Sequence, residues 1–511
     1  MSTTHLERQA ERIIDEGEGR YRRVIVQMAE AAAPDTETIA GAADALRHRA
    51  LSSSARALLP APAAAFSRGT DLRLTATQRR HQRTSLASFA SQVAASTASQ
   101  PVRKPSKVQR RAAARKQFAR LEKSDVVSQV ASRKTGAASM QKIWSAGAMA
   151  LEVTPDELQR LATEVAGVAA VYPNRILRVP AITKVQRLPA NVADEKASSW
   201  GVQAVGGLAS WGAFGARGAG ITVGVLDTGV DATHPDLAGK VAAFAELDIN
   251  GNLVPGAATR DDGQHGTHVC GTVVGGNASG AWIGVAPQAR VAVGMVLVGG
   301  VGSDSQILAG MDWAIAQGVD VISLSLGGLS FDPEVFDTYT RAILTAAQVG
   351  IPVVVAIGND GHQTSGSPGS DLFAFAVGAT DVEDRIAGFS GGRTQVIAQS
   401  RFIDPRFLPL PYSKPDVSAP GVAVTSAVPG GGWEAWNGTS MATPHVAGCM
   451  ALLLSATGLR SAVPVPEQAF ALHDLIAGSV EELGETGQDH RYGWGRVDVL
   501  RAIGFARERG F

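Results

Sequence analysis

From residue 200 onward, short apolar stretches alternate with longer stretches of helical period. The apolar stretches span 221–226, 291–298, 319–326, 351–357 and 373–377, and the helical stretches span 303–317 and 333–348. Continuous apolar residues are typical of strands that are buried on both faces. Strands of this kind, linked by helices, predict an α/β fold with a doubly wound, mainly parallel sheet and helices on both of its faces. In such sheets, functional groups gather at the carboxyl ends of the strands.

A second, smaller pattern lies within residues 140–180. Apolar residues predict strands at 148–153 and 168–171, and the residues between them have helical period. Thr154, directly before Pro155, is a typical cap for the start of that helix. This segment therefore predicts a small α+β domain ahead of the larger sheet.

Residues 1–134 show only broken helical periodicity and are rich in Ala, Ser and Arg. We interpret them as a helical or flexible N-terminal extension of unknown function. Residues 101–134 carry eleven Lys and Arg against two acidic residues, and Phe118 is their only aromatic residue. Such a run is typical of a solvated helix or linker, and alternatively of a patch that docks a protein partner or a nucleic acid. The lack of further aromatic residues disfavours binding of single strands.

The length of the chain is compatible with several folded units. It has 511 residues, 45% of them hydrophobic, which is enough for two or three cores. Its two cysteines cannot form a disulfide scaffold. The predicted division is an N-terminal extension over 1–134, a small α+β domain over 135–180, a connector over 181–198 and an α/β domain over 199–511.

The formal net charge is zero, but the charges are unevenly distributed along the chain. Residues 1–180 hold 28 Lys and Arg and 16 Asp and Glu, whereas residues 181–511 hold 19 and 31. The α/β domain is therefore acidic, which argues against a polyanionic partner for it. The N-terminal part is basic, so the net charge does not argue against such a partner there. One hypothesis is that the basic extension rests electrostatically on the acidic domain.

We identify no targeting or membrane signal. The first residues, MSTTHLERQAERIIDEGEGRYRR, place charges every few positions and so lack the apolar core of a secretory signal. No stretch reaches the roughly 18–20 apolar residues of a membrane-spanning helix. We therefore expect a cytoplasmic protein without a membrane partner.

Reactive side chains stand at the ends of predicted elements in three places. Asp227 directly follows an apolar stretch, His265 and His268 lie at a helix start, and Ser440 follows the turn at Gly438. Taken singly, Asp227 and Ser440 could be simple caps, and the histidines could be structural residues or metal ligands. Ser440 also lies where backbone N–H groups and the helix dipole would stabilise an oxyanion. Together the three places supply a nucleophile, a base and a group that orients the base.

The motifs around these residues resemble the subtilisin-like serine proteases, the subtilase family, which have this chain order of Asp, His and Ser. The motifs are Asp227-Thr-Gly, His265-Gly-Thr-His-Val and Gly438-Thr-Ser-Met-Ala-Thr-Pro-His-Val-Ala-Gly, and the likeness covers about residues 199–505. The resemblance implies the subtilisin-like fold and a serine endopeptidase that acts on polypeptides through an acyl-enzyme. It implies Ser440 as the nucleophile, His265 as the general base and Asp227 as the residue that orients His265.

The resemblance also implies the groups that bind the substrate. Asn359 matches the oxyanion-hole asparagine of the family, and its side-chain N–H would act together with the backbone N–H of Ser440. An extended substrate would pair with backbone that lines the cleft. The substrate-binding residues implied are Ser325, Leu326, Gly327, Gly328, Gly302 and Ser367. The chain departs from the family pattern at Gln264, where glycine is usual, and at Ile357, where alanine is common.

The implied chemistry requires no cofactor, but the resemblance suggests a binding site for a structural calcium ion. Asp236 matches a calcium-binding carboxylate of secreted members, and residues 275–283 match the companion loop. Ala278 stands there in place of the usual asparagine ligand. Calcium needs six or more oxygen ligands, so the alternative is that Asp236 is a turn residue.

Cys270 and Cys449 each lie on the helix that follows a proposed catalytic residue. Both occupy positions where the family has small buried residues. We therefore expect packed thiols, with a disulfide between the two helices as the alternative.

The small domain over 135–180 resembles the end of the inhibitory propeptide of the family, and residues 161–174 carry this likeness. The resemblance implies that the domain assists folding, occupies the cleft as an intramolecular inhibitor and is then removed. We expect autocatalytic cleavage within about 178–198. The alternative is an accessory domain that is never removed.

Two other functions stand beside that of a self-inhibited endopeptidase. One is a catalytically silent pseudoprotease whose cleft only binds peptides, although Asp227, His265, Ser440 and Asn359 are all present. The other is a protease whose basic N-terminal region binds nucleic acid or an acidic partner.

Overall fold

The computed structural model describes residues 5–17, 21–28, 118–119, 121–133, 140–185, 197–330, 338–398 and 408–511. Most of the predicted N-terminal extension and most of the predicted connector lie outside the described residues. The expectations of a nucleic-acid or protein partner for residues 1–134, and of an electrostatic contact made by their basic segment, therefore stay predictions.

The elements of the described residues are numbered along the chain. The strands are β1 (Arg22–Met28), β2 (Gln141–Ile143), β3 (Ala148–Val153), β4 (Val168–Pro173), β5 (Ile176–Arg178), β6 (Thr183–Lys184), β7 (Thr222–Asp227), β8 (Val241–Glu246), β9 (Arg290–Met295), β10 (Val301–Ser303), β11 (Val321–Leu324), β12 (Gly328–Leu329), β13 (Val353–Ala356), β14 (Gly366–Ser367), β15 (Phe375–Thr380), β16 (Arg393–Ile397), β17 (Leu410–Lys414), β18 (Val417–Pro420), β19 (Val424–Val428) and β20 (Gly432–Asn437). The helices are α1 (His5–Glu16), α2 (Asp125–Ser132), α3 (Pro155–Glu164), α4 (Trp200–Ala204), α5 (Gly207–Phe214), α6 (His265–Val274), α7 (Asp304–Gln317), α8 (Thr338–Gln348), α9 (Thr439–Ala456), α10 (Leu459–Ala462), α11 (Val465–Ala477) and α12 (Val499–Glu508).

A seven-stranded sheet with the order β18-β15-β13-β11-β7-β9-β8 forms the centre of the protein. Each neighbouring pair in it is parallel. Its two faces are both covered, because Val223 and Val225 of β7 pack in one core with α6 and α9, whereas Leu226 packs with α7 and α8. The predicted α/β fold with a doubly wound parallel sheet is confirmed.

Local sequence explains where several helices begin and end. Ser303 caps α7 by accepting from the N–H of Gln306, and the Gln306 side chain accepts in return from the Ser303 N–H. The helix ends at Gly318, whose φ of 73° lies in the left-handed region that favours glycine. Helix α7 begins directly after strand β10, which pairs with β5 in a separate two-stranded sheet.

A separate four-stranded antiparallel sheet has the order β2-β3-β1-β4. Helices α1, α2 and α3 cover one of its faces, and we call this sheet with its three helices the N-terminal unit. Its strand β3 and helix α3 lie where the sequence predicted them, and Thr154 forms a capping box with Glu157.

The structure draws the boundary of this unit differently from the sequence. Strand β1, from residues predicted to belong to the extension, lies between β3 and β4 and pairs with both. The boundary predicted at 134 therefore separates strands of one sheet, and residues 5–17 and 21–28 belong with 140–173. Backbone pairing between segments so far apart leaves little trace in local periodicity, which explains the difference.

The other face of the N-terminal unit packs on α7 and α8 of the α/β domain. Ile25, Ile143 and Ala148 from the sheet share a core with residues of those two helices. Within this contact, the carboxylate of Asp312 on α7 accepts hydrogen bonds from the backbone N–H groups of Trp144 and Ser145, at 2.8 and 3.0 Å. The unit is thereby held against α7 and α8.

Candidate active site

Asp227 and His265 meet at the carboxyl end of the central sheet. Asp227 ends β7 and His265 is the first residue of α6, and both are buried. The Oδ1 atom of Asp227 lies 2.7 Å from Nδ1 of His265 and also accepts from the Thr228 N–H at 2.7 Å. The carboxylate thus fixes the orientation of the imidazole ring.

Close backbone packing brings these two residues together. The N–H of Gly266 donates to the hydroxyl of Thr228 at 2.9 Å. A Cβ atom added at Gly266 would lie 2.1 Å from the carbonyl oxygen of Gly229, so only glycine allows this approach. The start of α6 is therefore locked to the turn that follows β7.

The other ring nitrogen of His265, Nε2, is buried and has no hydrogen-bond partner. A general base needs a nitrogen in this state, because it must accept a proton from the nucleophile. Burial also excludes water from the nitrogen.

Ser440 lies in the first turn of α9 and is buried. Its Oγ donates to the carbonyl oxygen of Ser325 at 3.3 Å, and the Ser325 hydroxyl donates to the carbonyl oxygen of Ser440 at 3.0 Å. This reciprocal pair ties the start of α9 to the residue after β11. Ser440 thus has a defined position next to the predicted substrate-binding segment 325–328.

Asn359 has both ends of its amide engaged. Its Oδ1 accepts from the N–H of Thr439 at 2.9 Å and from the Thr439 hydroxyl at 2.7 Å. Its Nδ2 therefore points the other way, and it donates to the carbonyl oxygen of Ala181 at 2.7 Å. The amide is oriented as an oxyanion-hole donor must be, and it already holds a peptide carbonyl of this chain.

The segment that leads to Ala181 lies along the predicted substrate-binding backbone. Strand β5 pairs antiparallel with β10, so that Leu177 faces Gly302, and Arg178 forms a bridge with Gly327. A Cβ at Gly328 would lie 2.6 Å from the buried side chain of Leu177, so the glycine makes room for that side chain.

The remaining predicted substrate-binding residues lie around the same segment. Ser367 on β14 pairs with Gly328, and its hydroxyl lies 3.3 Å from Nη2 of Arg175. Leu326 is buried in the core that also contains Leu177. Of the six predicted residues, Gly302, Gly327, Gly328 and Ser367 thus lie along a segment of the chain itself, whereas Ser325 contacts Ser440 and Leu326 lies in the core.

The chain continues beyond Ala181 across the other half of the cleft. Strand β6 pairs antiparallel with β20, and the N–H of Val185 donates to the carbonyl oxygen of Ala435 at 2.8 Å. Residues 176–185 therefore run from β10 to β20, paired as a strand at each end, with the carbonyl of Ala181 at Asn359.

The second histidine of the His265 motif has a structural environment. His268 is buried, stacks on Trp436 with ring centroids 4.3 Å apart, and contacts the carbonyl oxygens of Val424 and Glu434 through Nε2. Burial, reinforced by His265, lowers its pKa to about 3, so the ring stays neutral. The described residues hold no cluster of three or more His, Cys, Asp or Glu suited to a metal ion.

Asp236, the predicted calcium ligand, is buried among N–H donors. Its Oδ2 accepts from Nε1 of Trp433 and its Oδ1 from the N–H of Ala278, each at 2.7 Å. Calcium is bound by oxygen atoms, and N–H groups directed at both oxygens leave no such ligand set. The residues present therefore do not fit a calcium ion at Asp236 in this arrangement, and they fit the alternative of a structural aspartate.

Cys270 on α6 and Cys449 on α9 are buried free thiols, as the packed-thiol prediction requires. Burial raises the pKa of both thiols well above the usual value. The disulfide alternative is not formed.

Three participants in this site were not predicted. Thr228 and Thr439 support Asp227 and Asn359, and both stand inside the motifs, so motif adjacency could have indicated them. Ala181 had no distinguishing signal, because its role depends only on where its carbonyl lies.

No helix in the described part of the chain has the length and apolar character needed to cross a membrane.

The sequence of the chain is similar to a known protein family and to several of its members. Residues 218–495 match the model of the subtilase family. The chain is 37% identical over 247 residues to subtilisin E of Bacillus subtilis, a match that covers 47% of this chain and 57% of that relative. It is 39% identical over 256 residues to subtilisin Savinase of Lederbergia lenta, covering 50% of this chain and 83% of the relative. The chain thus spans just over half the length of subtilisin E and most of subtilisin Savinase.

Proposed function

The chain belongs to the subtilase family, and from this premise we propose that it is a serine endopeptidase made as a self-inhibited precursor, which cuts its own chain between Ala181 and Ile182. The observation that carries the proposal is the hydrogen bond from Nδ2 of Asn359 to the carbonyl oxygen of Ala181, at 2.7 Å. An oxyanion-hole donor on a peptide carbonyl marks that carbonyl as the one to be attacked.

The roles follow from the contacts of each side chain. Asp227 holds Nδ1 of His265, so Nε2 is the nitrogen left to act as base. Ser440 is the nucleophile, and its hydroxyl must rotate from the carbonyl of Ser325 towards His265 before it reacts. Asn359 and the backbone N–H of Ser440 are the two donors to the oxyanion.

In the proposed reaction, Oγ of Ser440 attacks the carbonyl carbon of Ala181 while its proton passes to Nε2 of His265. The negative charge that develops on the Ala181 oxygen is stabilised by the two donors. The bond to the nitrogen of Ile182 then breaks, and that nitrogen takes the proton from His265. Water, activated by His265, finally hydrolyses the ester on Ser440.

Self-inhibition is supported by the same contacts that support cleavage. Residues 176–185 fill the cleft from β10 to β20, so no other polypeptide can pair with the same backbone. The N-terminal unit adds a buried contact with α7 and α8 that does not depend on the cleavable bond. We therefore expect inhibition to persist after the cut, until the unit dissociates or is degraded.

The test compares the purified full chain with its Ser440→Ala variant by intact mass and N-terminal sequencing. The original chain should yield a fragment that begins at Ile182, and Ser440→Ala should stay whole. Ser455→Ala, on the same helix but away from the cleft, is the matched control and should process normally. A fragment beginning at Ile182 from Ser440→Ala expressed alone would refute self-cleavage.

A fluorophosphonate probe addresses the enzyme itself. The processed protein, freed of the N-terminal unit, should be labelled at Ser440 and should hydrolyse peptides. Absence of both in the folded, processed protein would refute the peptidase and favour a pseudoprotease that only binds peptides.

A further inference from the structure

Beyond Ala181, the bound segment is held in a fixed register. Thr183 lies opposite Asn437 and Lys184 opposite Trp436 in the pairing of β6 with β20. Backbone hydrogen bonds set this pairing, so another polypeptide bound in the same register would present its third residue after the cut at the position of Lys184. Whatever surrounds Lys184 therefore surrounds that residue of a substrate.

Three groups converge on the ammonium of Lys184. Its Nζ lies 2.7 Å from Oε2 of Glu434 and 3.2 Å from Oε1 of Gln264. It also lies 5.4 Å from the ring centroid of Trp436, within cation–π range. A carboxylate, an amide oxygen and an aromatic face are all suited to a cation.

The site is held in place by the protein. The Oε2 atom of Glu434 accepts from Nε1 of Trp436 at 2.7 Å, so the carboxylate does not depend on a ligand for its position. Trp436 in turn stacks on the buried His268, whose Nε2 contacts the carbonyl oxygen of Glu434 at 3.2 Å. The bonds from Lys184 and Trp436 lower the pKa of Glu434, which keeps it ionised at neutral pH.

Gln264 adds a contact that glycine could not make. It precedes the catalytic histidine, with a φ of 62° in the left-handed region, and it is one of the departures from the family pattern. A left-handed conformation is uncommon for a residue other than glycine. Its side chain carries an oxygen that reaches Lys184.

We propose that Glu434, Gln264 and Trp436 form a subsite that selects lysine or arginine as the third residue after the bond that is cut. The inference rests on the proposed peptidase function and extends it to the choice of substrate. The basic side chain that the site holds in the precursor is the one that the same site selects in other polypeptides.

The test uses the processed enzyme and quenched fluorescent peptides with the sequence of residues 176–185, in which only the position of Lys184 changes. Lysine and arginine should give a kcat/KM about fivefold higher than methionine, from an exposed ion pair together with a cation–π contact. Glutamate should give the lowest value. Raising the ionic strength should reduce the preference, because the ion pair is exposed to solvent.

Enzyme variants assign the effect to Glu434. Glu434→Gln should lose most of the ratio of lysine to methionine, and Glu434→Lys should favour glutamate at this position. Glu481→Gln is the matched control, because Glu481 pairs with Arg501 at nearly the same exposure, 39% against 38% for Glu434. This control should keep the full preference for lysine.

The outcomes distinguish a failure of the proposed subsite from a failure of the proposed peptidase function. Equal kcat/KM for lysine, methionine and glutamate peptides, in an enzyme that a fluorophosphonate labels, would overturn the subsite and leave the peptidase standing. A preference that survives in Glu434→Gln would overturn the role of that carboxylate. If the folded, processed protein neither cleaves the peptides nor is labelled by the fluorophosphonate, the proposed peptidase function itself is overturned.

Discussion

Arg175 joins the N-terminal unit to the α/β domain through Asp304, the first residue of α7. Its Nε lies 2.9 Å from Oδ2 of Asp304, its Nη2 lies 3.1 Å from Oδ1, and its backbone N–H donates to Oδ2 at 2.8 Å. The Asp304 side chain is only 3% exposed, whereas that of Arg175 is 38% exposed. We expect Arg175→Gln to loosen the N-terminal unit after self-cleavage.

The magnitude follows from this mixed exposure. Removal of one partner from a fully buried ion pair costs about 3–5 kcal/mol. The guanidinium of Arg175 is more than one-third exposed, and Asp304 keeps hydrogen bonds from the backbone N–H of residue 175 and from the Tyr339 hydroxyl. Discounted for solvent screening, the loss is about 1–2 kcal/mol, which weakens binding about 5- to 30-fold.

The assay follows activity on dilution of the processed complex. A small peptide substrate reports the fraction of enzyme that is free at each concentration, and so gives the dissociation constant of the N-terminal unit. Arg175 lies on the released side of Ala181, so the enzyme left behind is identical in every variant. Arg175→Lys should lie between the original and Arg175→Gln, because an ammonium cannot form the two-pronged contact.

A matched control lies within the N-terminal unit itself. Arg160 forms an exposed pair with Glu164 within α3, and Arg160→Gln should leave the dissociation constant unchanged. Equal dissociation constants for Arg175→Gln and the original chain would refute the reasoning. A change of equal size in Arg160→Gln would instead attribute the loss to the stability of the unit.

Three further outcomes are expected. Asn359→Leu should lower kcat on the order of 100–1000-fold with little change in KM; a loss below about tenfold in peptide hydrolysis would contradict an oxyanion role. Burial raises the pKa of Asp312 to about 7 in the docked state, above the usual value of about 3.9. The docked state therefore binds this proton more tightly, so docking is strongest below about pH 4 and weakens as the pH rises through about 7; residual inhibition should fall along that range, and Asp312→Asn should flatten the change. Trp433→Phe removes a donor from the buried Asp236 and should lower the free energy of unfolding by about 1–3 kcal/mol, whereas a chelator should not shift the melting temperature of the original chain; a calcium-dependent rise in that temperature would contradict the hydrogen-bonded role.

Much of the architecture could be inferred from local patterns. The strands of the central sheet are mostly buried on both faces, so β13 stands out as a continuous apolar run and β7 as a largely apolar one. Strand β8 did not stand out, because three of the five apolar residues in its sequence, Val-Ala-Ala-Phe-Ala-Glu, are alanine, which is depleted in strands. The chemistry of the Asp227, His265 and Ser440 motifs is also local, since each needs its neighbouring glycines and threonines.

The sequence by itself determined the fold class, the family resemblance and the candidate catalytic residues, because all of these reside in short stretches of residue types. Only the tertiary structure placed β1 inside the N-terminal unit and the carbonyl of Ala181 on Asn359. The pairing of β1 joins backbone atoms, and the contact at Asn359 uses the backbone oxygen of Ala181. Every residue possesses these atoms, so the identity of the residues does not indicate either contact. The same holds for the convergence of Gln264 and Glu434 on Lys184, which depends on the register of two strands rather than on the pattern of either one.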